Sequence, residues 1–148
     1  MKQINILINS FRSAKKNPIS EADIKTNLAW IYLETGRLDE TEDYFRQAYS
    51  LEPENPIKIN NLAYFLVDRD RNIDEGMELI DNALRNDPYS YYMLDTKGWA
   101  LFKQGKYQEA FDILQKSWDL KREKAVYDHE AFLHLEAATK AAANQENY

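Results

Sequence analysis

The chain contains no cysteine, so disulfide scaffolding and thiolate chemistry are excluded. Glycine and proline are scarce, four of each in 148 residues. With so few helix breakers, and no run of β-branched residues between turn signals, the backbone is expected to be almost wholly helical. Long apolar runs are also missing. Ile4 to Ile8 is too short, and too interrupted by Asn5, for a membrane span or a signal-peptide core. Basic residues are in deficit, 19 Lys and Arg against 25 Asp and Glu, for a net charge of −6. That sign opposes a general nucleic-acid binder, whose affinity comes largely from neutralised phosphates. The first twenty residues run the other way, with Lys2, Arg12, Lys15 and Lys16 and no acid. No nucleic-acid partner and no direct membrane insertion are therefore expected. The compartment stays open: a soluble cytoplasmic chain is the favoured reading, and a periplasmic one holds if the chain is a fragment lacking its targeting segment.

What is present is a helical punctuation. Helices are expected over about 3–16, 20–35, 38–51, 56–69, 74–86, 90–104, 107–120 and 126–143. Ser20 suits an N-cap, with Asp23 three residues on in a capping-box arrangement. Gly36 and Gly105 can take the left-handed conformation that closes a helix. Asp39 and Glu40 suit the dipole of a helix start, and Pro56 suits a first turn. Asn144 to Tyr148 should fray.

The punctuation repeats. Asn27-Leu28-Ala29-Trp30 returns 34 residues later as Asn61-Leu62-Ala63-Tyr64, and after a further 35 as Thr96-Lys97-Gly98-Trp99. Ala48, Ala83 and Ser117 keep the step, as do Pro53 and Pro88. A period near 34 marks a stacked array of helical hairpins, in which no unit buries its own apolar face alone. The pattern resembles the tetratricopeptide repeat family, in particular its bacterial members. The matching sets are Leu28, Ala29, Tyr32, Gly36, Phe45, Ala48 and Pro53, then Leu62, Ala63, Leu66, Ile80, Ala83 and Pro88. The third is Gly98, Leu101, Gly105, Tyr107, Ala110 and Leu114. Lys97, Gly76 and Arg122 depart from the pattern, and the second unit has an extra inner-loop residue and no glycine there. The resemblance implies an all-α, right-handed superhelical solenoid of antiparallel hairpins. It divides one domain, 1–148, into a half-unit at 1–20, repeats at 22–55, 56–90 and 91–124, and a half-unit or cap at 125–148. It also implies a concave groove lined by the first helix of each repeat.

Those first helices carry two apolar stripes where an ordinary surface helix needs one. One stripe, with Leu28, Ala29 and Tyr32 in the first repeat, faces the hairpin partner. The other groups Trp30, Leu33 and Thr26, then Tyr64, Val67 and Asn60, then Trp99, Phe102 and Asp95, with Ile57 and Tyr92 extending it by a turn. Two readings stand side by side. The aromatic residues pack against neighbouring first helices and partly close the array, or their exposed portions form a floor for a ligand. On the second reading Trp30, Leu33, Asn60, Tyr64, Val67, Tyr92, Asp95, Trp99, Phe102 and Lys103 are the partner-binding residues.

Other chemistry finds little support in the residues. A basic clamp for a carboxylate tail, known from some family members, would use the positions of Thr26, Trp30, Asn61, Tyr92 and Thr96, and only Asn61 fits. The segment Asp68 to Asp74 opens like a calcium loop but has Ile73 where the sharp-turn glycine belongs and Leu79 in place of the closing Glu. Glu130 and His134 share a helix face at a metal-compatible spacing, yet two ligands are not a site. No catalytic set emerges, and no metal or cofactor is expected. The expected function is a non-catalytic module that binds a protein or peptide. The alternatives are a structural segment of a longer scaffold, its groove filled by its own chain or by another copy, and a helper beside an absent catalytic domain. Unpartnered half-units at each end would also permit self-association.

Overall fold

The computed structural model describes residues 18–124 and 129–145. Within them lie seven helices: α1 (Glu21–Glu34), α2 (Leu38–Leu51), α3 (Pro56–Asp68), α4 (Ile73–Leu84), α5 (Tyr91–Lys103), α6 (Tyr107–Glu123) and α7 (His129–Gln145). The described residues contain no strand. The expected helix at 3–16 lies outside them. The chain divides into two compact units, Met1–Leu62 and Ala63–Tyr148, with the boundary inside α3.

The turns follow the sequence signals closely. Ser20 Oγ accepts the Asp23 amide at 3.1 Å, capping α1. Gly36 and Gly105 take φ of 75° and 77°, closing α1 and α5 in the left-handed region. The following amides reach back along the helix, Arg37 N–H to the Tyr32 carbonyl and Lys106 N–H to the Leu101 carbonyl, each at 3.0 Å. In the longer loop after α3, Asp70 takes the left-handed place at φ 52°. Arg71 and Asn72 both donate to the Leu66 carbonyl there. Asp is among the few non-glycine residues that tolerate this conformation, which explains how the link between α3 and α4 turns without glycine.

In the first unit α1 and α2 pack as a hairpin over Ala22, Ala29, Thr41, Phe45 and Ala48, all buried. Tyr32 stacks on Tyr44 at 5.3 Å, as the hairpin stripe predicts. Lys58, in the first turns of α3, is buried yet charged, and its ammonium donates to Asp23 Oδ1.

In the second unit two glycines set the helix spacing. A Cβ on Gly76 would fall 2.9 Å from the Ala63 carbonyl oxygen and 2.7 Å from Val67 Cγ2. A Cβ on Gly98 would fall 2.4 Å from Leu114 Cγ. Glycine stands at these two positions because α4 approaches α3, and α6 approaches α5, too closely for a methyl group. The core around Leu101, Ala110 and Leu114 takes in Ala138 from α7. Helix α6 runs a turn past the expected end. Its added residue Lys121 buries its stem and holds its ammonium 5.2 Å from the Tyr91 ring centre, while Ser117 Oγ donates to the Tyr91 carbonyl. Helix α7 packs on α6 and, more lightly, on α5, burying Ala131, Ala138 and Ala142. Its exposed large apolar residues are Phe132 and Leu133.

Candidate interaction surface

The first-helix stripe behaves differently in the two units. In the first, Trp30 sets its ring edge-on to Phe45 of its own hairpin, with centroids 5.1 Å apart and planes at 83°. Phe45 is itself buried, so this contact draws Trp30 toward the hairpin core. Leu33 and Asn60 are half-buried and Ile57 is exposed.

In the second unit the structure gathers Tyr64, Asp95, Trp99, Phe102 and Lys103 into one cluster. The Trp99 and Phe102 rings are stacked, 4.8 Å apart and 6° from parallel. Trp99 Nε1 donates to Asp68 Oδ1 at 3.2 Å, which fixes the indole from α3. The Lys103 ammonium donates to the Asp68 carbonyl and to Asp70, and lies 5.7 Å from the Trp99 ring centre. Onto the free side of Trp99 comes His134 of α7, stacked at 4.2 Å and 17°. His134 is buried, and its Nδ1 lies 2.9 Å from Asp95 Oδ2. A carboxylate accepts, so Nδ1 carries the proton in this bond. One turn earlier, Glu130 accepts a short hydrogen bond from the Tyr64 hydroxyl. Burial, and then this bond, push ionisation of the Tyr64 phenol far upward, so it stays a donor throughout the ordinary pH range.

Two named stripe residues stand apart from the cluster. Val67 is fully buried in the α3–α4 hairpin beside Gly76. Tyr92 is half-buried with its ring edge-on to Tyr91. The cluster includes three residues that the stripe pattern omits: Asp68, Glu130 and His134. The one signal for the α7 pair is its four-residue spacing, which reads equally as metal ligation until the facing helices are placed. Asp68, Asp70 and Asp74 take donors from the protein itself, from Trp99, Lys103 and Gln104 respectively, and so tie the loop to α5. At the clamp positions, Thr26 and Thr96 are buried and donate their hydroxyls to the Ala22 and Tyr92 carbonyls of their own helices. No group of three or more metal-ligating side chains occurs among the described residues, and none of their helices is long and apolar enough to cross a membrane.

Comparison with known proteins places this geometry. Two family models described as tetratricopeptide repeat match residues 22–55 and 92–131. A TPR repeat-containing protein of Pseudomonas aeruginosa is 35% identical over 98 residues. The match takes in 66% of this chain but only 16% of that relative. Among solved structures, the Sgt2 TPR domain from Aspergillus fumigatus superposes with a TM-score of 0.73 at 20% identity, over 86% of this chain and 83% of that one. The first TPR of Spaghetti (RPAP3), bound to an HSP90 peptide, gives 0.67 at 20% identity, over 83% and 94%. At this identity the two likenesses establish an all-α, TPR-like solenoid fold.

Proposed function

We propose a binding role on one premise: the chain belongs to the tetratricopeptide repeat family, and is a protein-interaction module rather than an enzyme. In this reading each unit offers the aromatic stripe of its own first helices to a peptide or protein segment. Trp30, Leu33 and Asn60 would contribute in the first unit. Tyr64, Tyr92, Asp95, Trp99, Phe102 and Lys103 would contribute in the second. Val67 would contribute only packing, since it is buried. The observation that carries the reading is the Phe102–Trp99 stack, flanked by acceptors and a lysine and already engaged by a helix through an imidazole and a carboxylate. Flat rings beside fixed polar groups are the chemistry of binding hot spots.

A second reading rests on the same contact. Helix α7 covers this stretch of stripe, as it would in a structural segment whose groove is filled by its own chain. The RPAP3 domain holds an HSP90 peptide, but the clamp positions here carry Thr26, Trp30, Asn61, Tyr92 and Thr96 and offer no cation. The partner proposed is therefore not an acidic C-terminal tail. A photo-crosslinking residue at position 92 or 103 in the full chain tests the binding reading. A discrete crosslinked partner, lost in a Tyr92→Ala Lys103→Ala variant that melts within a few degrees of wild type, is expected. Crosslinks only within the chain would favour the filled-groove reading.

A further inference from the structure

We propose that α7 is a displaceable occupant, and that the second-unit face formed by α5 and the Ala63–Asp68 end of α3 receives in trans an amphipathic partner helix. That helix would present a carboxylate and, four residues on, an imidazole or another flat ring. The proposal deepens the binding reading and rests on it.

Three observations carry the inference. The platform does not depend on α7. Asp68 fixes the Trp99 indole, Phe102 supports its far side, and Asp68 and Asp70 hold Lys103. Helix α7 fits it through two side chains that repeat at helical spacing. Glu130 takes the Tyr64 hydroxyl, while His134 stacks on Trp99 and meets Asp95. Those pins define what any other occupant must offer. Finally, α7 is lightly anchored. Apart from His134, its buried residues are Ala131, Ala138 and Ala142, each offering one methyl group. Within the same unit the other helices bury Leu66, Val67, Ile80, Met93 and Leu114. The larger apolar contacts of α7 are only partly buried, Leu135 on the Leu101 and Leu114 core and Phe132 beside the Trp118 ring. Burial scales with apolar area, so α7 leaves at lower cost than a helix that fully buries such side chains. When it leaves, Tyr64 and Asp95 regain water and no buried polar group is orphaned on the platform.

The probe is a labelled synthetic peptide with the sequence of residues 129–145, titrated into the full chain by fluorescence anisotropy. A Glu130→Gln His134→Ala chain, weakened in cis, should bind it about ten-fold or more tightly than wild type, because the internal competitor is gone. Adding Asp95→Ala and Tyr64→Phe should weaken that binding by about ten-fold. A peptide carrying Ala at both pin positions should not bind. Absent binding to a folded double variant would overturn the proposal. Should the double variant not fold, amide exchange of wild type decides: α7 should open well before α6, and joint opening would overturn it. A wild-type dimer that forms by exchanging α7 between copies would overturn it too, since the occupant would then be a second copy. The peptide assay needs no natural partner. Peptide binding with no crosslinked partner would thus strike the binding reading alone, and a partner without peptide binding would strike only this proposal.

Discussion

Trp30 and Trp99 occupy the same place in their repeats, yet their surroundings differ in kind. Trp30 turns edge-on to Phe45 across its hairpin, and the next stripe residue on its helix is Leu33. Trp99 lies flat against Phe102, the next stripe residue on its own helix, and the residue across its hairpin is Leu114. The repeat has exchanged a Leu and a Phe between two positions. Where the aromatic partner lies across the hairpin, the indole is drawn toward the core. Where it lies along the helix, the indole presents a flat face, and His134 covers it. One repeat frame therefore yields a structural tryptophan and a platform tryptophan, and the local aromatic neighbour decides which.

The largest effects are expected at the residues across the hairpin. Phe45→Ala should cost about 3–5 kcal/mol in urea unfolding and Leu114→Ala about 2–5 kcal/mol, with the larger loss at Phe45 because Trp30 loses its contact too. A loss at Phe45 below that of an ordinary surface substitution would show that Trp30 owes nothing to the core. Next comes Gly98→Ala, whose methyl must displace Leu114 and should cost about 1–3 kcal/mol. Gly105→Ala meets no neighbouring atom and is strained only by its positive φ, so its loss should be smaller, about 1–2 kcal/mol. Equal losses would mean that the helices are not closely apposed.

His134→Ala should cost about 1–3 kcal/mol, since it removes the stack and leaves Asp95 without this partner. Amide exchange should rise in α7 while α1 and α2 stay unchanged. A uniform rise across both units would argue against a local cover. The smallest effect belongs to the first unit and depends on pH. Hydrogen bonding to Lys58 holds the Asp23 carboxyl below its ordinary range. A depressed carboxylate adds stability above its unfolded pKa, and that increment is lost as pH falls through the native value. The stability gap between wild type and Lys58→Met should therefore narrow on going from neutral pH to the acid side of the carboxylate range. Asp23 is half exposed, so the change should be modest. A gap independent of pH would show that Lys58 acts only by packing.

Much of this architecture is legible in the residues. The repeat of Leu-small-aromatic, the closing Gly36 and Gly105, and the cap at Ser20 are local signals, and each produces the element it predicts. The left-handed Asp70 is less legible, because Asp tolerates that conformation without demanding it. Val67 shows the limit of periodicity. Its spacing puts it on the stripe, but Gly76 lets α4 approach until the side chain is enclosed. Glu130 and His134 show a different limit. Their shared helix face is readable, whereas the Tyr64, Asp95 and Trp99 that meet it lie 35 to 66 residues earlier, and only the fold brings them there. The extra turn of α6 likewise depends on Tyr91, a residue of another helix.

Helix α7 covers the Trp99 platform through His134. Acrylamide quenching of a full chain whose sole tryptophan is Trp99, made with Trp30→Phe and Trp118→Phe, tests it most directly. Weak quenching is expected in that chain, with a rise of several-fold once His134→Ala and Glu130→Gln are added. Quenching of Trp99 at the rate of a free indole before those substitutions, unchanged after them, would contradict it.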